Sequence, residues 1–294
     1  MPSVTVAHLG LFVSAMIVGA SFPIVGLLSE AIPPLLATSA RFLIATAAVM
    51  GLAGRARFEL PTPRALALYA VQGVALAGFF GTMFWAAGRV GALAMASIYV
   101  AVPLVAYLLG RLLRVERAVP SLLAALVTGA AGALALVWVR DDGAGSFRFG
   151  LDEVWYSLGC CACALYPVLS RWGLEKGWLP ASAAVRTAWS LAAGALLIGS
   201  AGLLVESPRS LLVLGTSDWL IVGYLGVVSS GATFWLMQRA SEVLTPAAVT
   251  AYTYLTPFVS VAVLIIEEPS LLGWQWLPGS LLVLAALMLL VRRA

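Results

Sequence analysis

Apolar positions in this chain neither alternate nor keep to one helical stripe. They fill long runs separated by short polar or proline-bearing breaks. A helix needs roughly 20 mostly apolar residues to cross about 30 Å of hydrocarbon. Ten runs reach that length, at residues 6–28, 34–53, 65–87, 91–113, 120–139, 154–173, 181–204, 219–238, 246–266 and 273–291. The pattern predicts an all-α integral membrane protein of ten transmembrane helices. Pro33, Pro34, Pro61, Pro63, Pro120, Pro180, Pro208, Pro246 and Pro269 fall at or near the predicted ends, where a missing N–H costs least.

Composition narrows the class further. Of 294 residues, 62% are hydrophobic and 10% charged, against about 25% charged in an ordinary soluble domain. So apolar a chain cannot cover itself with charge in water, which excludes a soluble enzyme, a nucleic-acid binder and a disordered chain. A net charge of +4 is no nucleic-acid surface. The first run has no basic residues before it and no clear cleavage site, so it reads as a retained span. Cys160, Cys161 and Cys163 sit together in one apolar run, with no partner elsewhere for a long-range disulfide. They read as small buried hydrophobes, and no metal site is expected.

Loop charge sets the orientation. With the amino terminus in the cytoplasm, the inner segments carry Arg55, Arg57, Arg64, Arg111, Arg114, Arg117, Arg171, Lys176, Arg239, Arg292 and Arg293. The outer ones carry only Arg89, Arg140, Arg148 and Arg209, and the acidic loop with Asp141, Asp142, Asp152 and Glu153 falls outside. Both termini are therefore expected inside.

The two halves resemble each other. Gly81, Phe84, Trp85 and Arg89 recur as Gly231, Phe234, Trp235 and Arg239 at a constant offset of 150. Phe22-Pro23 has a counterpart in Tyr166-Pro167, and Arg41 follows Pro34 much as Arg186 follows Pro180. Pro103 and Pro257 each sit mid-span, behind Tyr99 and behind Tyr252 and Tyr254. The expected repeats are residues 1–145 and 146–294. Five spans per half is an odd number, so the second half enters from the opposite side, as in the inverted repeats of many secondary transporters.

These residues resemble the drug/metabolite transporter superfamily in its ten-helix EamA-type exporter branch, and more distantly its aromatic amino-acid exporters. The likeness rests on Phe22-Pro23, the Pro34 to Arg41 spacing, the Gly81 to Arg89 stretch and the Pro257 span ending in Glu267-Glu268. It implies a multi-pass protein of the bacterial inner membrane that exports small metabolites, amino acids with aromatic or apolar side chains first among them, without a cofactor. The partners implied are a small-molecule substrate and the lipid bilayer. The first span departs from the family's common Trp-Gly pair in having Val18-Gly19.

Candidate chemistry lies within the spans. Arg41 and Arg186 each sit roughly 10 Å from a span end, placed for a substrate carboxylate or a gate. The plainer alternative pairs them with Glu30 and Glu175. Pro23, Pro103, Pro167 and Pro257 are candidate hinges, each freeing a carbonyl. Trp85, Ser97, Tyr99, Tyr166, Trp235, Tyr252 and Tyr254 are the candidate substrate cavity, with aromatic walls and a few hydroxyls suited to an amphipathic solute. Trp138, Trp172, Trp178, Trp219 and Trp274 read as interfacial belt.

No span centres on Asp, Glu or His, and His8 reads as interfacial, which favours downhill export over proton coupling. An intramembrane enzyme would need paired carboxylates or a metal motif, and a channel would need a polar ring; neither is written in the chain, and no catalytic residue is expected. The alternative within transport is efflux of lipophilic compounds.

Overall fold

In a computed structural model, placement is described for residues 2–29, 31–54, 60–87, 89–90, 92–140, 150–267, 269 and 273–292. Glu30, Arg55, Arg57, Gly88, Asp141, Asp142, Arg148, Glu268 and Arg293 lie outside these, so the readings placed on them are not followed further.

The described residues are helical, with turns and no β-strand. In chain order they form α1 (Val4–Val25), α2 (Pro34–Ala53), α3 (Pro63–Ala87), α4 (Ala92–Val100), α5 (Val102–Leu112), α6 (Pro120–Arg140), α7 (Leu151–Glu175) and α8 (Ala183–Val205). Then come α9 (Thr216–Tyr224), a π-helical segment (Leu225–Ala232), α10 (Thr233–Ala240), α11 (Pro246–Thr250), a 3-10 turn (Ala251–Tyr254), α12 (Leu255–Glu267) and α13 (Leu277–Val291). Pro34, Pro63, Pro120 and Pro246 each open a helix, where the absent N–H is one the helix leaves unpaired anyway.

Eight helical stretches among the described residues are long and apolar enough to cross a membrane: Val4–Val25, Pro34–Leu52, Pro63–Ala87, Ala94–Leu112, Pro120–Val139, Ala183–Val205, Thr216–Ala240 and Trp274–Val291. The expected spans at 154–173 and 246–266 fall short of that set. The first corresponds to α7, which carries Asp152, Glu153, Arg171 and Glu175 near its ends. The second is broken into α11, the 3-10 turn and α12. Outward faces are apolar throughout: Leu9, Leu43, Leu66, Val74, Leu196, Leu203 and Leu281 are all more than half exposed. Such a surface suits hydrocarbon and not water.

Two expected hinge positions coincide with interruptions. The chain breaks between α4 and α5 at Ala101, and Pro103 follows as the second residue of α5. Pro257 is the third residue of α12, directly after the 3-10 turn. Pro23 and Pro167 lie inside unbroken α1 and α7.

Packing pairs α2 with α8, α6 with α13 and α5 with α11; α3 lies against α7, and α1 against α10. The α6–α13 crossing is close enough for backbones to touch. A Cβ on Gly132 would stand 2.8 Å from the carbonyl oxygen of Gly279, and one on Gly279 would stand 2.9 Å from that of Gly132. Small residues at such crossings are how helices associate without a hydrophobic driving force.

Candidate functional site

The centre of the bundle holds a chain of aromatic rings contributed by five helices. Tyr99 on α4 stacks on Phe79 of α3 at 5.9 Å, and Phe79 meets Phe80 edge-on at 5.2 Å. Phe80 meets Phe42 of α2 at 5.1 Å, Phe42 meets Phe234 of α10 at 6.2 Å, and Phe234 meets Tyr166 of α7 at 5.3 Å. The offset and edge contacts are the arrangements favoured by ring quadrupoles.

Arg41 sits beside this chain. Its guanidinium lies 5.7 Å over the Phe80 ring, and Nε donates to Ser230 Oγ while Nη2 donates to Ser229 Oγ at 3.4 Å. Both serines belong to the π-helical segment, whose wider turn sets Gly226 and Gly231 against α2 and brings the hydroxyls to Arg41. Single π turns inside helices recur at functional sites. Among the described residues Arg41 makes no ion pair.

Beyond Tyr166 the rings give way to a buried polar network. The Tyr166 hydroxyl is 2.7 Å from Ser190 Oγ, and Gln238 Nε2 donates to Tyr166 at 2.9 Å and to Ser170 Oγ at 3.0 Å. Gln72 Nε2 donates to Ser170 at 2.8 Å. Arg186, fully buried, closes the network with every donor occupied. Nε reaches Gln238 Oε1, Nη1 reaches the carbonyls of Pro180 and Ala181, and Nη2 reaches the Gln238 carbonyl and Glu242 Oε1. The expected pairing of Arg186 with Glu175 is corrected: Glu175 is held by Arg171 at 2.8 Å, one helical turn away. Arg171 also donates to the carbonyls of Ser241 and Glu242, so two arginines fasten the end of α10.

The expected cavity residues are only partly gathered. Tyr99 and Tyr166 stand at the two ends of the ring chain, and Ser97 is half-buried on α4 with Tyr99. Trp85 lies at the surface, 48% exposed, its indole N–H donating to Asp152 at 3.1 Å and its ring covered by Arg89 at 3.7 Å. Trp235 makes the same stack with Arg239 at 5.4 Å. Tyr252 turns to His8, whose Nδ1 is 2.8 Å from its hydroxyl. His8 itself is buried within the protein. Tyr254 packs against Gly129 of α6, away from the rings. Cys160 is buried as expected, Cys163 half-buried and Cys161 exposed. Among the described residues no cluster of His, Cys, Asp and Glu could hold a metal.

Every carboxylate whose side chain is described is already engaged. Glu206 accepts from the amides of Leu35 and Leu36, and Asp218 from those of Ser29 and Gly215. Glu116 accepts from Ala247 N at 3.2 Å, and Glu153 from Gly150 N. Asp152, Glu175 and Glu242 have the partners given above. Glu116 lies between α5 and α6; burial raises its pKa from the ordinary 4.5, against the lowering effects of Ala247, Thr245, Arg171 and Arg111.

Residues 5–138 match the EamA-like transporter family. That stretch runs from the first turn of α1 to the last turn of α6, and the family resemblance read from the sequence is borne out over it. Eight membrane-length helices make the chain a multi-pass membrane protein, and the part of it in residues 5–138 is similar to a family of transporters. A crystal structure of a protein 21% identical superposes with a TM-score of 0.80, over 98% of this chain and 99% of that one. The whole chain therefore has the fold of a solved protein. No curated protein matches it in sequence.

Proposed function

We propose that the chain is a secondary transporter that exports small metabolites from the bacterial cytoplasm by alternating access, binding them between the ring chain and Arg41. The observation that carries this is Arg41 itself: a cation within a membrane helix, held by two neutral hydroxyls over an aromatic ring, with three N–H groups left to donate. Ionisable groups at such depth face a cavity or a partner, and rings with a few convergent polar groups are the usual lining of a small-molecule site.

The carrier is ten-helical, with α7 and the α11–α12 unit crossing as well, in two inverted halves at residues 1–145 and 146–294. Several observations support that reading. The contacts of α2 with α8, α6 with α13 and α5 with α11 each join a helix to its counterpart in the other half. The Trp–Arg stack recurs at the ends of α3 and α10. The first is tied to Asp152 at the start of α7, while the turn following the second is tied to Arg171 nineteen residues on, about 28 Å along the helix. The family match covers the first of the proposed halves.

On this reading Pro23, Pro103, Pro167 and Pro257 act as hinges, and Arg186 is a fixed structural cation. Both termini face the cytoplasm, and export runs downhill. The aromatic rings and Arg41 suit amphipathic carboxylates. The charge on Arg41 weighs against efflux of lipophilic cations. The test is counterflow in proteoliposomes with a panel of labelled amino acids, organic acids and nucleosides. Exchange of at least one amphipathic carboxylate supports the proposal, and exchange of none rejects it.

A further inference from the structure

We infer that the site at Arg41 selects an organic carboxylate with an apolar or aromatic body and no ammonium group. This rests on the carrier reading above and narrows it. Arg41 spends two N–H groups on Ser230 and Ser229, which are uncharged, so its positive charge is uncompensated by any described side chain. The remaining donors can meet both oxygens of a carboxylate, the geometry in which arginine binds most strongly. Phe80 lies under the guanidinium, within the row of rings between Phe79 and Phe42, and an apolar body would lie against that row.

Among the described side chains an ammonium group finds no free carboxylate there. All the carboxylates with described side chains are bonded elsewhere, to backbone amides, to Trp85, to Arg171 or to Arg186. The serine hydroxyls that face Arg41 already accept from it. A zwitterion would bring a desolvated ammonium beside a guanidinium without an anion to receive it, which is costly at low dielectric. A free amine would lose the arginine contact as well.

Three probes separate these cases on one phenylethyl body: 3-phenylpropanoate, L-phenylalanine and phenethylamine. Their binding to the detergent-purified full chain is measured by titration calorimetry at neutral pH. We expect 3-phenylpropanoate to bind about tenfold or more tighter than phenylalanine, and phenethylamine to give no measurable binding. Arg41→Gln should weaken 3-phenylpropanoate about tenfold or more, and Arg41→Lys should fall between. Phenylalanine or phenethylamine binding as tightly as 3-phenylpropanoate overturns the inference, as does no binding by any of the three, or an Arg41→Gln protein that binds like wild type. If Arg41→Gln fails to fold, the order of the three probes on the wild-type chain decides. Counterflow of the tightest binder is a separate arm: the expected order without counterflow removes the carrier reading and leaves the selectivity standing.

Discussion

Arg186 on α8 and Glu242, beyond the end of α10, form an ion pair 2.7 Å long, with the guanidinium wholly buried. All five of its N–H groups are spent inside the protein. Its counterpart in the repeat, Arg41, spends two. The two arginines thus differ: one fastens the bundle, and the other keeps three N–H groups without a described partner.

Replacing Arg186 by Met should unfold or strongly destabilise the protein, because it strands Glu242 and the carbonyls of Pro180, Ala181 and Gln238. Breaking a buried pair from one side costs about 3–5 kcal/mol. Thermal unfolding in detergent measures this. Adding Glu242→Leu should recover part of the loss, and a strictly additive double mutant would speak against the pair.

Tyr99→Ala should raise the dissociation constant of the transported solute about tenfold while lowering the unfolding temperature less than Phe42→Ala does. Tyr99 is half-buried at one end of the ring chain, whereas Phe42 is fully buried within it. Removing a core phenylalanine costs about 3–5 kcal/mol. Equal losses of stability would place Tyr99 in the core.

At the α6–α13 crossing, Gly132→Leu should prevent the close approach that Gly279 needs. In the control Gly51→Leu, on α2, the added Cβ meets no atom within 4 Å. Monodisperse yield after detergent extraction separates the two: low for the first, near wild type for the second.

Glu116 makes stability depend on pH in a direction opposite to most carboxylates. Burial raises its pKa above 4.5, so in the folded chain it keeps a proton that the unfolded chain has released. Stability is greatest below 4.5, falls as pH rises from there to the folded value, and stays lower above it. Glu116→Gln can still accept from Ala247 N and lacks this titration. The stability of wild type relative to Glu116→Gln should therefore fall across that window; a rise would contradict the assignment.

Much of the fold could be read from residue patterns. Run length placed the eight membrane-length helices, and prolines marked the starts of α2, α3, α6 and α11, because a helix start tolerates a missing N–H better than its interior does. Pro103 and Pro257 marked the interrupted helices for the same reason. The site was less legible. Tyr99 and Tyr166 emerged from the repeat as cavity candidates and Phe234 as a repeated position, but Phe42, Phe79 and Phe80 did not emerge, since phenylalanine in an apolar run gives no sign of which way it faces. Glu175 looked like the partner of Arg186 because it is close in sequence; Glu242, 56 residues away, is close in space. Gln72 and Gln238 offered the missed signal: amides inside apolar runs need partners, and these found each other through Ser170. The π-helical segment left no trace in composition.

Five crossings in each of the two proposed halves require α7 to cross the membrane, and the odd number before it makes it enter from the outer face. Leu151→Cys and Lys176→Cys, at exposed positions on either side of that helix, can be placed singly in a chain lacking Cys160, Cys161 and Cys163. Each is then labelled with an impermeant maleimide from each face of oriented vesicles. The account predicts labelling of position 151 from outside only and of position 176 from the cytoplasmic side only. Labelling of both from the same side would contradict it.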